Sequence, residues 1–159
     1  HITLDLNGPP CQGTCPGRGH LEAMASGLAA DKLARRAAAE RPEGDLGRAA
    51  GAGRRVDTHL LVELAAAGPG DARNVLEHVC FHLGIGISDL VNVFNPERVV
   101  VGGGFAEAGE LLLAPARRVV AERALLPARE VVEIVEAKLG PDAGLIGAAL
   151  VAFDALDEG

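Results

Sequence analysis

The sequence predicts an α/β fold in which a helical segment precedes a strand–helix–strand–helix unit. Three observations carry this. "RVVVGGG" at 98–104 is a β-branched run closing in glycines, which reads as a strand passing into a tight turn. "EVVEIVEAKL" at 130–139 is a second such run. Between them, Leu111 to Ala124 has the spacing of an amphipathic helix, so the two strands form a parallel pair joined by a right-handed crossover.

The elements follow in order. "HITLDL" alternates apolar and polar residues, as a short half-buried strand does, and "NGPP" stops it with turn chemistry. A glycine-rich loop leads to Leu21, where Leu21, Met24, Ala25, Leu28, Ala29 and Leu33 recur at helical spacing; the helix runs through Ala39, and "ERPEGD" ends it. "GRAAGAGRRVD" reads as a loop or short helical turn. Asp57 or Thr58 caps a helix to about Ala67, "GPGD" breaks the chain, and Asp71 caps a longer helix that stops before "NPE". After the strand–helix–strand unit, Asp142 caps a last helix from Ala143 to about Leu156, in which Gly144 and Gly147 allow close packing. Three segments of one lobe result: strand and knuckle at 1–22, helical segment at 23–95, and strand–helix–strand–helix at 96–159.

Composition removes whole classes of function. A net charge of −7 takes away the attraction that dominates nucleic-acid affinity, and a chain without Tyr or Trp lacks stacking platforms for bases. This chain is read as no nucleic-acid binder. Its longest apolar run, "AGLIGAALVAF", falls short of the roughly 20 residues a membrane span needs. The start at His1 lacks the basic and apolar stretches of a signal peptide, so the expectation is a cytoplasmic chain that is a fragment or a processed product. Three cysteines make an odd count for a disulfide framework, and reduced thiols are the simpler expectation.

The densest chemistry lies in "CQGTCPGRGHLE" at 11–22. Cys11, Cys15 and His20 are spaced so that a turn can aim all three at one point, and two thiolates with an imidazole suit Zn²⁺. His1 is the one nearby candidate for a fourth ligand, because His59, His78 and His82 fall in expected helices. A glycine-rich turn with two incidental thiols fits the same spacing. Elsewhere, "HVCFH" places His78 and His82 four residues apart, as metalloprotease helices do, but Val79 stands where such helices carry Glu. Cys80 points off that face and reads as a small buried hydrophobe.

"GPPCQGTCPGRGHLEAMASG", with His1 ahead of it, resembles the signature of the ROK family of bacterial sugar kinases and repressors, a Gly-His pair followed by Cys-x-Cys-Gly-x-x-Gly-Cys-x-Glu. "GIGISDLVNVFNPERVVVGGG" and "DAGLIGAAL" resemble the family's Asn-Pro-Glu strand and its C-terminal helix. The likeness spans essentially the whole chain, with two departures: three residues separate the first two cysteines, and His20 stands for the third.

What this resemblance implies is a C-terminal lobe of the actin-like ATPase (ribonuclease H-like) sugar kinase fold, with a zinc-knuckle loop and a helical insertion. It implies a structural Zn²⁺ held by His1, Cys11, Cys15 and His20. It implies sugar contacts from His1 and Glu22, since a carboxylate accepts from vicinal hydroxyls. The alternative for Glu22 is an acidic residue in a first helical turn, favoured by the macrodipole. Gly102, Gly103 and Gly104 would lie against adenosine, though strand-to-helix turns contain glycine for structural reasons alone. The implied partners are ATP with Mg²⁺, a hexose with glucose first, and further copies of the chain in a dimer or tetramer. The family's catalytic Asp and phosphate loops precede the segment matched by His1, so no catalytic residue is assigned here. Two further readings stand: a sugar-sensing repressor of the same family, and a stand-alone zinc-binding interaction module.

Overall fold

The computed structural model describes residues 1–157. Five helices come first: α1 (Leu21–Ala25), α2 (Gly27–Glu40), α3 (Asp45–Gly51), α4 (Thr58–Ala67) and α5 (Asp71–Phe94). Then follow β1 (Arg98–Val101), a 3₁₀ turn at Gly104–Ala108, α6 (Glu110–Arg123), α7 (Ala128–Val131), β2 (Glu133–Glu136), a 3₁₀ turn at Gly140–Asp142, and α8 (Ala143–Asp157). β1 and β2 pair in parallel, with Arg98 opposite Glu133 and Val101 opposite Glu136. The expected parallel pair with a helical crossover is therefore present.

α5 is the spine. On one side, Leu76, Val79 and Cys80 join Leu46 of α3, Leu61 of α4 and the alanines of α2 in an aliphatic core. Further along, Ile87 and Val91 meet Leu113 and Val120 of α6 and Ile134 of β2 in a second. Gly84 makes the crossing with α6 possible, because a Cβ there would stand 2.5 Å from the Val119 Cβ. α5 ends where the sequence says it should: Asn95 turns into the left-handed region at φ 46° and Pro96 follows.

Several expectations are corrected. His1–Leu6 forms no strand; a single antiparallel bridge joins Thr3 to His20, because the segment lies along the knuckle loop instead of along a sheet. Ile2 and Leu4 are half-buried between exposed neighbours, as the alternation implies, but Leu6 is 84% exposed. The expected helix from Leu21 to Ala39 breaks at Ser26, whose hydroxyl accepts from the Ala29 N–H and caps α2. Of the two readings of "GRAAGAGRRVD", the short helical one holds at its start: residues 47–51 are the second half of α3, held by buried Leu46 and Ala49. The "EVV" of the second strand run is divided: Val131 ends α7, and the strand narrows to Glu133–Glu136. Asp142 ends a 3₁₀ turn ahead of α8. Gly144 and Gly147 face open space, so they serve no close packing among the described residues.

Asp71 is not a cap but the first residue of α5, which follows Gly70. The cap comes from 27 residues upstream: the Asp45 carboxylate accepts from the Ala72 N–H at 3.2 Å. Asp71 in turn lies against Gly44 at the start of α3 and pairs with Arg41 at 2.8 Å. The two helix starts thus hold each other. Asp45→Ala should cost about 1 kcal/mol, the usual worth of such a cap. At this chain size that corresponds to a melting temperature lower by roughly 2–4 °C, readable by circular dichroism.

Candidate metal centre and cleft

The loop before α1 is folded by its backbone. Leu4 and Asp5 N–H groups donate to the Gly19 carbonyl, Gly19 N–H to Pro9, and Cys11 N–H to Gly17. Gly19 sits at φ +58°, and a Cβ there would run into the Asp5 carbonyl, so no other residue fits without moving the His1–Leu6 segment. This folding brings His1, Cys11, Cys15 and His20 together, with one donor atom from each within 4.8 Å of all the others.

The donor separations can be compared with a real site. His1 Nδ1 and His20 Nδ1 lie 3.2 Å apart, Cys11 Sγ and His1 Nδ1 3.5 Å, and Cys15 Sγ and His20 Nδ1 3.7 Å. A tetrahedron with Zn–N and Zn–S bonds of ordinary length has N–N edges of about 3.3 Å and N–S edges of about 3.6 Å. The chemistry and the spacing of these four donors fit Zn²⁺. Cys11 and Cys15 are free thiols and half-buried, His20 is buried, and His1 is exposed. Desolvation holds the Cys11 thiol above its ordinary pKa, with Cys15 and the Glu22 carboxylate adding to the rise. Glu22 is exposed in the first turn of α1, two residues beyond His20.

A cleft of about 910 Å³ opens nearby. Its walls are Ser26 and Gly27 at the α1–α2 junction, Asp57 and Thr58 at the start of α4, and Gly102 to Gly104 beyond β1. The Thr58 hydroxyl ties two of these walls together, lying 2.5 Å from an Asp31 carboxylate oxygen and 3.2 Å from the Gly27 carbonyl oxygen. Arg55 and His59 also line it. Sequence reasoning found the glycines but not these polar residues, whose local signal was only that of helix starts. The knuckle and the cleft meet at Ser26, which lies 3.5 Å from the Gln12 side chain and lines the cleft.

The structure does not bring Cys80 to either site. It is fully buried against Leu111, and burial pushes its thiol up to about 12. At pH 8, iodoacetamide should therefore modify Cys11 and Cys15 of metal-free protein while leaving Cys80 intact, as peptide mass spectrometry would record. Cys80 alkylation in the folded chain at the rate of the other two would contradict this.

A family model described as the ROK family matches residues 1–155. The chain belongs to the ROK family. It is 32% identical over 151 residues to a glucokinase of Thermotoga maritima, covering 95% of this chain and 47% of that protein. It is 27% identical to the xylose repressor of Bacillus subtilis, over 97% of this chain and 36% of that one. Among solved structures, a ROK family glucokinase from Streptomyces griseus in complex with glucose and AMPPNP superposes with a TM-score of 0.80 at 30% identity, covering 95% of this chain and 49% of that chain. The ROK chain therefore has the fold of the family's sugar kinases, the actin-like ATPase fold, and spans about half the length of the curated glucokinases it matches. No helix among the described residues is long and apolar enough to cross a membrane.

Proposed function

We propose that this ROK chain is the C-terminal part of an ATP-dependent hexose kinase of the glucokinase type, which moves the γ-phosphoryl group of ATP to a sugar hydroxyl, glucose first. The observation that carries the reading is the match over nearly the whole chain to a glucokinase solved with glucose and AMPPNP, together with a knuckle and a cleft set on opposite ends of α1. His1, Cys11, Cys15 and His20 would hold a structural Zn²⁺. Four protein ligands leave no open position, so the ion would supply order and no chemistry. His1 would turn its second ring nitrogen to the sugar, beside Glu22, and Gly102 to Gly104 would line the adenosine side of the cleft.

The surface supports a partial fold as well. α8 leaves Leu145 (74%), Val151 (69%) and Leu156 (75%) exposed, apolar area of the kind a second lobe covers. Phosphoryl transfer needs a base, Mg²⁺ and phosphate-cradling loops, and this reading places them in that lobe. The xylose repressors among the relatives favour a second reading, a sugar-sensing repressor. A coupled ATP-consumption assay on the full-length protein, with a panel of hexoses and hexosamines, separates the two. Sugar-dependent turnover supports the kinase; sugar binding without turnover favours the repressor.

Glu22→Gln keeps the shape of the side chain and replaces one acceptor with a donor. In the full-length kinase, KM for sugar should rise by roughly one to two orders of magnitude, as expected for a charge-assisted hydrogen bond of about 1.5–3 kcal/mol. Unchanged kinetics would return Glu22 to a purely helical role at the start of α1.

A further inference from the structure

α5 carries a second pair of imidazoles, remote in sequence from the knuckle. His78 and His82 stand one turn apart with ring centroids 4.4 Å from each other and planes tilted by 56°. The Nδ1 of His82 lies 2.8 Å from the His78 carbonyl oxygen. A carbonyl only accepts, so Nδ1 carries the proton and Nε2 keeps its lone pair for another partner. Ligating histidines are commonly oriented by this kind of backbone hydrogen bond. The ring of Phe81 meets His82 edge-on at 5.4 Å, and the Arg123 guanidinium lies over Phe81 at 5.3 Å, so the His82 ring is held from the side as well.

His78 borders a small cavity of about 210 Å³ together with Leu33, Asn74 and Val75. Asn74 is one turn before His78, which sets an amide oxygen, His78 and His82 on successive turns of one helix. The missing Glu after His78 removes protease chemistry but not the capacity of two imidazoles at this spacing to chelate.

We propose that His78 and His82 form a two-imidazole chelate for a borderline divalent cation of the Ni²⁺, Cu²⁺ and Zn²⁺ class, separate from the knuckle. Imidazole donors suit these ions, and a site with two protein ligands keeps open positions for water. The cation at this site therefore exchanges readily, unlike one enclosed by four ligands. Its effect is to clip one turn of α5 and so to favour the folded state in proportion to occupancy.

The test uses tag-free chain loaded with Zn²⁺ and titrated calorimetrically with Ni²⁺, with a zinc indicator present in a parallel titration. Wild type is expected to take up about one Ni²⁺ more per chain than His82→Gln, a difference equal to one chelate. His78→Gln should weaken the same binding by at least about tenfold, since losing even an orienting partner of a ligand typically costs 10–100-fold. An unchanged helical circular dichroism signal in both variants establishes that they are folded, as exposed or half-exposed substitutions on α5 should be. Ni²⁺ uptake that is absent, or that persists equally in both variants, would overturn the proposal. Because the readout is the difference made by two α5 histidines, it stands even if the knuckle holds no zinc.

Discussion

Purified by itself, the 159-residue chain should show no sugar-dependent ATP turnover, although both of its candidate sites are formed. Under the proposed function, the knuckle meets the sugar and the 910 Å³ cleft meets adenosine, but the groups that cradle the phosphates and take the hydroxyl proton come from the other lobe. Phosphoryl transfer depends almost wholly on holding reactants in line and stabilising charge. Losing that orientation raises the barrier by on the order of 7–11 kcal/mol, a factor of roughly 10⁵–10⁸ in rate. Joining the chain to the preceding half should restore activity. A coupled assay that finds the isolated chain turning over at the roughly 1–100 s⁻¹ typical of kinases would sink the two-lobe reading.

How much of this was legible in the sequence depends on the range over which each feature is decided. α5 could be read end to end because its signals are local: an apolar stripe, glycine and proline before it, and Asn95-Pro96 after it. The parallel strands were legible for the same reason, two β-branched runs with a helix between them. The gathering of four possible ligands was legible because three of them fall within ten residues and the fourth, His1, lies alongside them. What failed was decided at a distance. Asp45 caps α5 from 27 residues away, a relation that no local pattern carries. The segment His1–Leu6 has the alternation of a strand but pairs with a glycine-rich loop, so its polar positions do not mark a sheet face. Ser26 fits the pattern as one more helical residue, but its extended backbone ends α1 and its hydroxyl caps α2. The cleft walls come from three separate segments, and only the glycines among them announce themselves.

Removing the proposed zinc ligands should have the other large effect, and the result should be confined to one end of the molecule. Cys15→Ser replaces a thiolate with a neutral hydroxyl, and Gly19→Ala forces the loop away from the Asp5 carbonyl. Either change breaks the four-donor set, whose apparent zinc affinity by analogy with structural sites is worth about 10–16 kcal/mol. Metal analysis should fall from about one zinc per chain, the stoichiometry of one four-ligand set, to near zero. A small zinc finger would unfold at this point. Here it should not, because the aliphatic cores along α5 are built from Leu46, Leu61, Leu76 and Leu113 and owe nothing to the knuckle. The disorder should stop at the loop from about Gly8 to His20, visible as faster amide exchange there and unchanged exchange in α5. Under the proposed function, the same variants in the full-length protein should lose sugar affinity while adenosine nucleotide binding, assigned there to Gly102 to Gly104, stays largely intact. Ser26, shared by the knuckle contact and the cleft wall, sets the limit on that separation. A wild-type chain that carries no metal, or a Cys11–Cys15 disulfide under reducing conditions, would remove the basis for a zinc site, because both thiols must be free to ligate.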